Sequence, residues 1–100
     1  MSKLVVLYSA PENPEKFARY FRETHMPLVR KMPGLKDAVY GPSTSLDGAA
    51  GAFSWTFIGT FDNLKAIHDA LGSPAGQAVA ADIPNYSPQA PVILHVDDEK

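Results

Sequence analysis

The sequence predicts an α+β fold whose elements run β-α-β-β-α-β around a four-stranded antiparallel sheet. Three observations carry this. Residues 4–8, Leu-Val-Val-Leu-Tyr, form an unbroken apolar run closed by Ser9, Ala10 and Pro11. Residues 52–61 alternate aromatic with smaller or polar side chains. Two further segments carry apolar residues at helical spacing behind capping residues.

Taken in order, residues 4–8 have the pattern of a strand covered on both faces. Asn13-Pro14-Glu15 then opens a helix: Asn caps, Pro takes the first helical position, and Glu favours the positive end of the dipole. Phe17, Phe21, His25 and Leu28 fall on one stripe of a 3.6-residue period. Pro27 lacks a backbone donor and disfavours α geometry at Met26, so the helix is expected to weaken there. Pro33-Gly34 marks a turn, and residues 35–40 read as a second strand of edge character, with Lys36 and Asp37 as its charges. Residues 43–51 read as a flexible loop. In the third strand, residues 52–61, Phe53, Trp55, Phe57 and Phe61 line one face. Asp62 is expected to cap a second helix bearing Leu64, Ile67 and Leu71, with Gly72 as its stop. Ser73-Pro74 restarts a short helix through about Asp82. Residues 83–91 hold three prolines and read as a connector. Residues 92–96 form the last strand, before an acidic, frayed tail.

This order is the split βαβ, or ferredoxin-like, pattern. In it the first and third strands are central and helices cover one face of the sheet. The first strand is nevertheless apolar on both faces, with Leu4, Val6 and Tyr8 on one and Val5 and Leu7 on the other. Burying the uncovered face against a second copy is the simplest solution, so a homodimer through the sheets is expected.

One hundred residues suit one domain with a modest core, a size often supported by oligomerisation. A net charge of −2, with nine Lys and Arg spread along the chain, argues against a nucleic-acid partner. The chain has no cysteine, which excludes disulfides, thiolate nucleophiles and zinc–thiolate sites. The apolar run at the start is too short for a signal h-region or a membrane span, so a cytoplasmic protein without a membrane partner is expected.

His25 is the first candidate for chemistry. It lies at a helix end, on the apolar face, just before Pro27. An unperturbed pKa near neutrality suits it to general acid or base work at the mouth of an apolar pocket. The negative end of the helix dipole favours its imidazolium, while Phe21 and Leu28 disfavour it. The other reading is a C-terminal histidine bonded to the last helix carbonyls. Asp82 opens the second polar group, Asp82-Ile83-Pro84-Asn85-Tyr86. An aspartate at a helix's end opposes the dipole, so it calls for a specific partner: a ring N–H of His25, or the connector through an Asx turn. Tyr8, Phe21, Trp55 and Tyr86 are candidate walls of a pocket for a small apolar or aromatic molecule, or members of the core. Tyr8 and Trp55 each carry a polar atom that needs a partner. His25, His68 and His95 share no ligand spacing, so no metal is expected. There is no nucleophile elbow and no phosphate-binding glycine motif.

With these residues in place, the chain resembles the EthD family of the dimeric α/β-barrel superfamily. The anchors are the strand ending in Tyr8, the helix with Phe17 and Phe21, and His25-Met26-Pro27-Leu28 followed by Pro33-Gly34. Phe61-Asp62-Asn63, Ser73-Pro74 and Ala81-Asp82-Ile83-Pro84-Asn85-Tyr86 complete them. The last motif commonly ends in Phe in the family; here Tyr86 adds a hydroxyl. The resemblance implies a homodimer whose two sheets form a barrel, with a pocket in each subunit between helices and sheet. The superfamily includes cofactor-free monooxygenases, cyclases, isomerases and haem-binding enzymes, so fold does not fix the reaction. The expected function is a homodimer acting on an apolar or aromatic metabolite by proton transfer or oxidation at His25, with Asp82 orienting it and no bound cofactor. The alternative is a non-catalytic protein that binds a hydrophobic metabolite or haem, or serves only to dimerise.

Overall fold

A computed structural model describes residues 1–48 and 51–99. Two residues of the predicted loop 43–51 and the last residue of the tail lie outside that description. Four antiparallel strands lie in the order β2-β3-β1-β4: β1 (Ser2–Tyr8), β2 (Asp37–Pro42), β3 (Trp55–Phe61) and β4 (Val92–Asp97). β1 and β3 are central, as the pattern requires. Val6 sits opposite Phe57 on β3 and Ile93 on β4, and Tyr8 sits opposite Trp55.

Strict alternation of burial along β1 and β3 directs Leu4, Val6, Tyr8, Trp55, Phe57 and Phe61 into the core. All helices lie over that face. The sequence expectation began β3 at residue 52. Pairing starts at Trp55, although the backbone N–H of Ser54 still reaches the Tyr8 carbonyl. β2 starts at Asp37, two residues later than expected, after a turn in which Gly34 adopts φ +79°, a region glycine enters without a Cβ clash.

The first helical segment departs from the expectation in an informative way. α1 (Pro14–Tyr20) is capped by Asn13, whose Oδ1 accepts from Lys16 N–H. The helix does not weaken at Pro27. It widens into a π turn over Phe21–His25, with Met26 N–H donating to the Phe21 carbonyl, and continues as α2 (Met26–Val29). A π turn holds one residue more than an α turn. The buried stripe therefore advances by one. Met26, Val29 and Met32 are buried beyond His25, whereas Leu28, predicted for the stripe, is only half-buried.

α3 (Leu64–Gly72) is capped by Asn63, not Asp62: Asn63 Oδ1 accepts from Ala66 N–H at 2.8 Å, while Asp62 pairs with Lys36 at 3.2 Å. α4 (Pro74–Tyr86) runs four residues past Asp82 and contains Pro84. Near the end of a helix, proline's missing donor removes a single bond, and the Ser87 N–H to Ile83 carbonyl bond closes the terminus. The tail is tied down at its start. Asp97 accepts from Ser2 Oγ, and Asp98 N–H donates to the Met1 carbonyl. Among the described residues no helix is long and apolar enough to cross a membrane.

Among the described residues, none covers the far face of the sheet. Cross-strand register aligns Val39, Ile58, Val5 and Leu94 in one row across all four strands. Val39 and Leu94 are exposed, with Val92 and Val96 beside Leu94 on β4.

Candidate functional site

The π turn and α4 meet over the core side of the sheet, and their polar side chains find each other there. His25 is 3 % exposed and Asp82 is 7 % exposed. His25 Nδ1 lies 2.9 Å from Asp82 Oδ2. The other carboxylate oxygen, Oδ1, accepts from the Tyr20 hydroxyl at 2.6 Å and from Asn85 Nδ2 at 3.0 Å. Burial alone would push the Asp82 carboxyl up. Hydrogen bonds from Tyr20, Asn85 and His25 outweigh it and hold the carboxyl below its ordinary range. An ionised carboxylate only accepts, so Nδ1 carries the ring proton and Nε2 of the neutral imidazole is the basic nitrogen. Burial pushes the His25 pKa down, and the Asp82 hydrogen bond and charge only partly restore it. The neutral ring is thus the resting form at neutral pH.

Local sequence explains the meeting. Tyr20 and His25 are five residues apart, a spacing that an α-helix turns to different sides and a π turn brings together. Asp82 and Asn85 are three apart on α4, hence neighbours on its surface. Ser73 fixes where α4 begins, accepting from Gly76 N–H and donating to the Ala70 carbonyl.

His25 lines a cavity of about 80 Å³ whose other walls include Leu4, Val6, Tyr8, Val29 and Val79. Of the remaining walls, Leu71 on α3 and Ile93 on β4 are exposed, so the space opens between α3 and the edge strand. A second, wider groove of about 380 Å³ lies between the loop after β1 and the segment after α4. Tyr20, Asn85 and Tyr86 line it. The two spaces are divided by Tyr8 and Tyr86, whose hydroxyls are 2.7 Å apart, and by the Tyr86 ring, whose centroid is 4.7 Å from that of His25. Burial raises both phenols, Tyr8 to about 12.

The predicted site residues therefore separate. His25, Asp82, Tyr8 and Tyr86 come together; Asp82 lies inside α4 rather than at its end. Phe21, fully buried, and Trp55 sit in the aromatic cluster behind them, 5.3 Å apart by ring centroids, and line neither space. Trp55 Nε1 is buried with no hydrogen-bond partner among the described residues. Tyr20 escaped the sequence reading, and Asn85, a member of the second polar group, was given no role of its own, since a helix ending at Asp82 hides its spacing. His68 is exposed, and His95 bonds Asp97. No group of three or more potential metal ligands occurs among the described residues. A haem does not fit here: a cavity of about 80 Å³ is far below the roughly 300–1,000 Å³ of ordinary organic-ligand sites.

Comparison with known proteins gives a consistent picture. The model of the EthD domain matches residues 10–89. A curated relative, an uncharacterised 11.0 kDa protein of the thcB–thcC intergenic region of Rhodococcus erythropolis, is 30 % identical over 99 % of this chain and 96 % of its own. Among solved structures, an ethyl tert-butyl ether D family protein of Bacillus halodurans superposes with a TM-score of 0.91 at 24 % identity, covering 99 % of each chain. A dimeric ferredoxin-like protein of unknown function from Jannaschia sp. CCS1 gives 0.70 at 16 % identity, covering 97 % of each. SnoaB, a cofactor-independent oxygenase of Streptomyces nogalater, gives 0.71 at 15 % identity over 99 % of this chain and 93 % of its own.

Proposed function

The chain belongs to the EthD family, and from that premise we propose that it is a homodimeric protein that binds a compact apolar molecule beside His25 and moves a proton there without a bound cofactor. The observation that carries this is the hydrogen-bonded His25–Asp82 pair, buried at the wall of an almost wholly apolar cavity. A neutral imidazole with its Nδ1–H held by a carboxylate is a base at Nε2. It takes a proton from the bound molecule, becomes imidazolium stabilised by Asp82, and returns that proton to a second atom of the same molecule. Low polarity around the ring strengthens the Asp82 interaction as the charge forms.

The cavity sets the size of what binds. A cavity of about 150 Å³ is known to take a benzene, so about 80 Å³ admits a smaller apolar group, or one end of a molecule that extends outward past Leu71 and Ile93. Tyr8 contributes wall, Tyr86 closes the polar side, and Phe21 and Trp55 back them. That SnoaB, of similar fold, is a cofactor-independent oxygenase supports the reading without a bound cofactor. Homodimerisation is supported by the uncovered aliphatic row of Val39, Ile58, Val5 and Leu94 and by the dimeric relative.

The test has two stages. Titration of isotope-labelled protein with acetone, and with cyclopentanone entering by one edge, should shift the resonances of His25, Val79 and Leu4; silence at all three sinks the binding site. Exchange of the α-hydrogens of cyclopentanone into heavy water should then fall roughly 10²-fold or more in His25→Ala, the scale of general-base catalysis. Equal exchange in both proteins would leave a binding protein without turnover.

A further inference from the structure

Asp82 has two oxygens with different duties. Oδ2 faces His25, while Oδ1 accepts from the Tyr20 hydroxyl and the Asn85 amide, whose residues both line the wide groove. A carboxylate attached to a helix by one carbon can rotate, and rotation of this one would take Oδ2 away from Nδ1. Two donors fixed on separate elements, Tyr20 at the end of α1 and Asn85 on α4, oppose that rotation. The Tyr20 ring is itself pinned by stacking on Tyr86, with centroids 5.4 Å apart and planes 28° apart.

We propose that Tyr20 and Asn85 are positioning residues, which clamp Asp82 Oδ1 so that Oδ2 fixes His25 as the Nδ1–H tautomer and leaves the Nε2 lone pair to the apolar cavity. This rests on the reading of His25 as a base, because only then does the identity of the free nitrogen matter. Neither residue reaches the cavity; both act from the groove side, through the carboxylate. The clamp separates two environments around one imidazole. The reacting molecule meets an apolar wall, and the charge that answers it is secured from the wet side. Tyr20 supplies the shorter bond and the more rigid donor. Asn85, exposed and with a longer bond, is the minor member.

The experiment reads tautomers by nitrogen chemical shifts in two-bond proton–nitrogen spectra of the whole protein, with His68 and His95 as internal controls. Wild-type His25 should be a single Nδ1–H tautomer above its titration. In Tyr20→Phe, which keeps the ring stack, the Nε2–H form of His25 should rise at least tenfold, into the tens of per cent, with the controls unmoved. Asn85→Ala should show the same change at smaller amplitude and serves if Tyr20→Phe does not fold. An unchanged His25 tautomer in a folded variant overturns the clamp, as would an Nε2–H tautomer in the wild type. No substrate is involved, so the result stands apart from the exchange assay. A failed His25→Ala assay with an intact tautomer response would sink only the catalytic reading.

Discussion

Nδ1 of His25 and Oδ2 of Asp82, fifty-seven positions apart in sequence, stand 2.9 Å from each other with almost no solvent between them. Two forces act on this imidazole in opposite directions. Burial disfavours its charge and is the larger; the carboxylate favours it and is the smaller. The folded His25 pKa therefore lies below the ordinary 6.5. A group depressed in the folded state stabilises the fold above its unfolded pKa, and that contribution drains away as pH falls through the folded value. Stability should accordingly begin to decline below about pH 6.5. A second decline should begin below pH 3.8, as Asp82, also depressed by folding, takes up a proton. Urea titrations across pH 3 to 8 would show both. In Asp82→Asn the carboxylate charge is lost, so the His25 pKa should drop further; a rise would sink the account. Removing Asp82 altogether, as Ala, should cost about 2 kcal/mol, because the buried Nδ1–H of the neutral His25 ring loses its acceptor.

Tyr8 and Tyr86 invite a double-mutant cycle. Their hydroxyls share one hydrogen bond, and Tyr8 is only 2 % exposed, so deleting either hydroxyl strands the other. Tyr86→Phe should destabilise by about 1–2 kcal/mol, the cost of an unpaired buried donor. The double variant Tyr8→Phe/Tyr86→Phe should cost less than the sum of the singles, with a coupling of about 1 kcal/mol by urea denaturation. Strict additivity would show that the bond contributes nothing. Both phenols are raised by folding, so their contribution is complete below their unfolded pKa near 10 and is lost as pH climbs through the folded values, about 12 for Tyr8. Alkaline unfolding should therefore begin above pH 10 and soften in the Phe variants.

Local signals in the sequence carry most of this architecture. Alternation along β3 specified which side chains face the core, and Asn13-Pro14 specified where α1 starts, because those choices depend on neighbours in the chain. What escaped depends on tertiary context. Pro27 reads locally as a breaker, yet the helix absorbs it through the π turn, and one extra residue then moves the buried stripe from Leu28 to Met26 and Val29. Pro84 reads the same way, but its position in the last turn of α4 makes it tolerable. That second misreading hid Asn85. The choice of Asn63 over Asp62 as cap was equally invisible, since both residue types cap well and the Lys36 partner of Asp62 comes from a distant segment.

Gly76 tests whether sterics outweigh propensity. In an exposed helix, replacing Gly by Ala gains about 1 kcal/mol. Gly76 is instead buried in the first turn of α4, where a Cβ would run into the carbonyl oxygen of Ala70 and the backbone of Leu71. These are main-chain atoms and cannot swing aside. Gly76→Ala should therefore destabilise by about 2–3 kcal/mol net, the upper range for overpacking, and should displace α4 from α3. Because α4 carries Asp82, the same variant should disturb the His25 resonance although it lies two turns away. A stabilised protein would mean that α3 and α4 are not held at this separation.

The sheet face offers the last prediction and bears on the quaternary reading. Val39, Ile58, Val5 and Leu94 form a row across the sheet, and the outer two are 60 % and 46 % exposed in the single chain. Burying apolar surface yields roughly 25 cal/mol per Å², so two such faces brought together are worth many kcal/mol before the cost of association. Charges at the edges of the row should reverse that balance. A buried, unpaired lysine amine must either lose its proton or stay in water, and both prevent close contact of the sheets. The double variant Val39→Lys/Leu94→Lys should thus sediment as a monomer at concentrations where the wild type is a dimer. Both positions are exposed in the single chain, so its fold, read by circular dichroism, should survive. A monomeric wild type, or a dimer indifferent to both lysines, would show that this face is not where two copies meet.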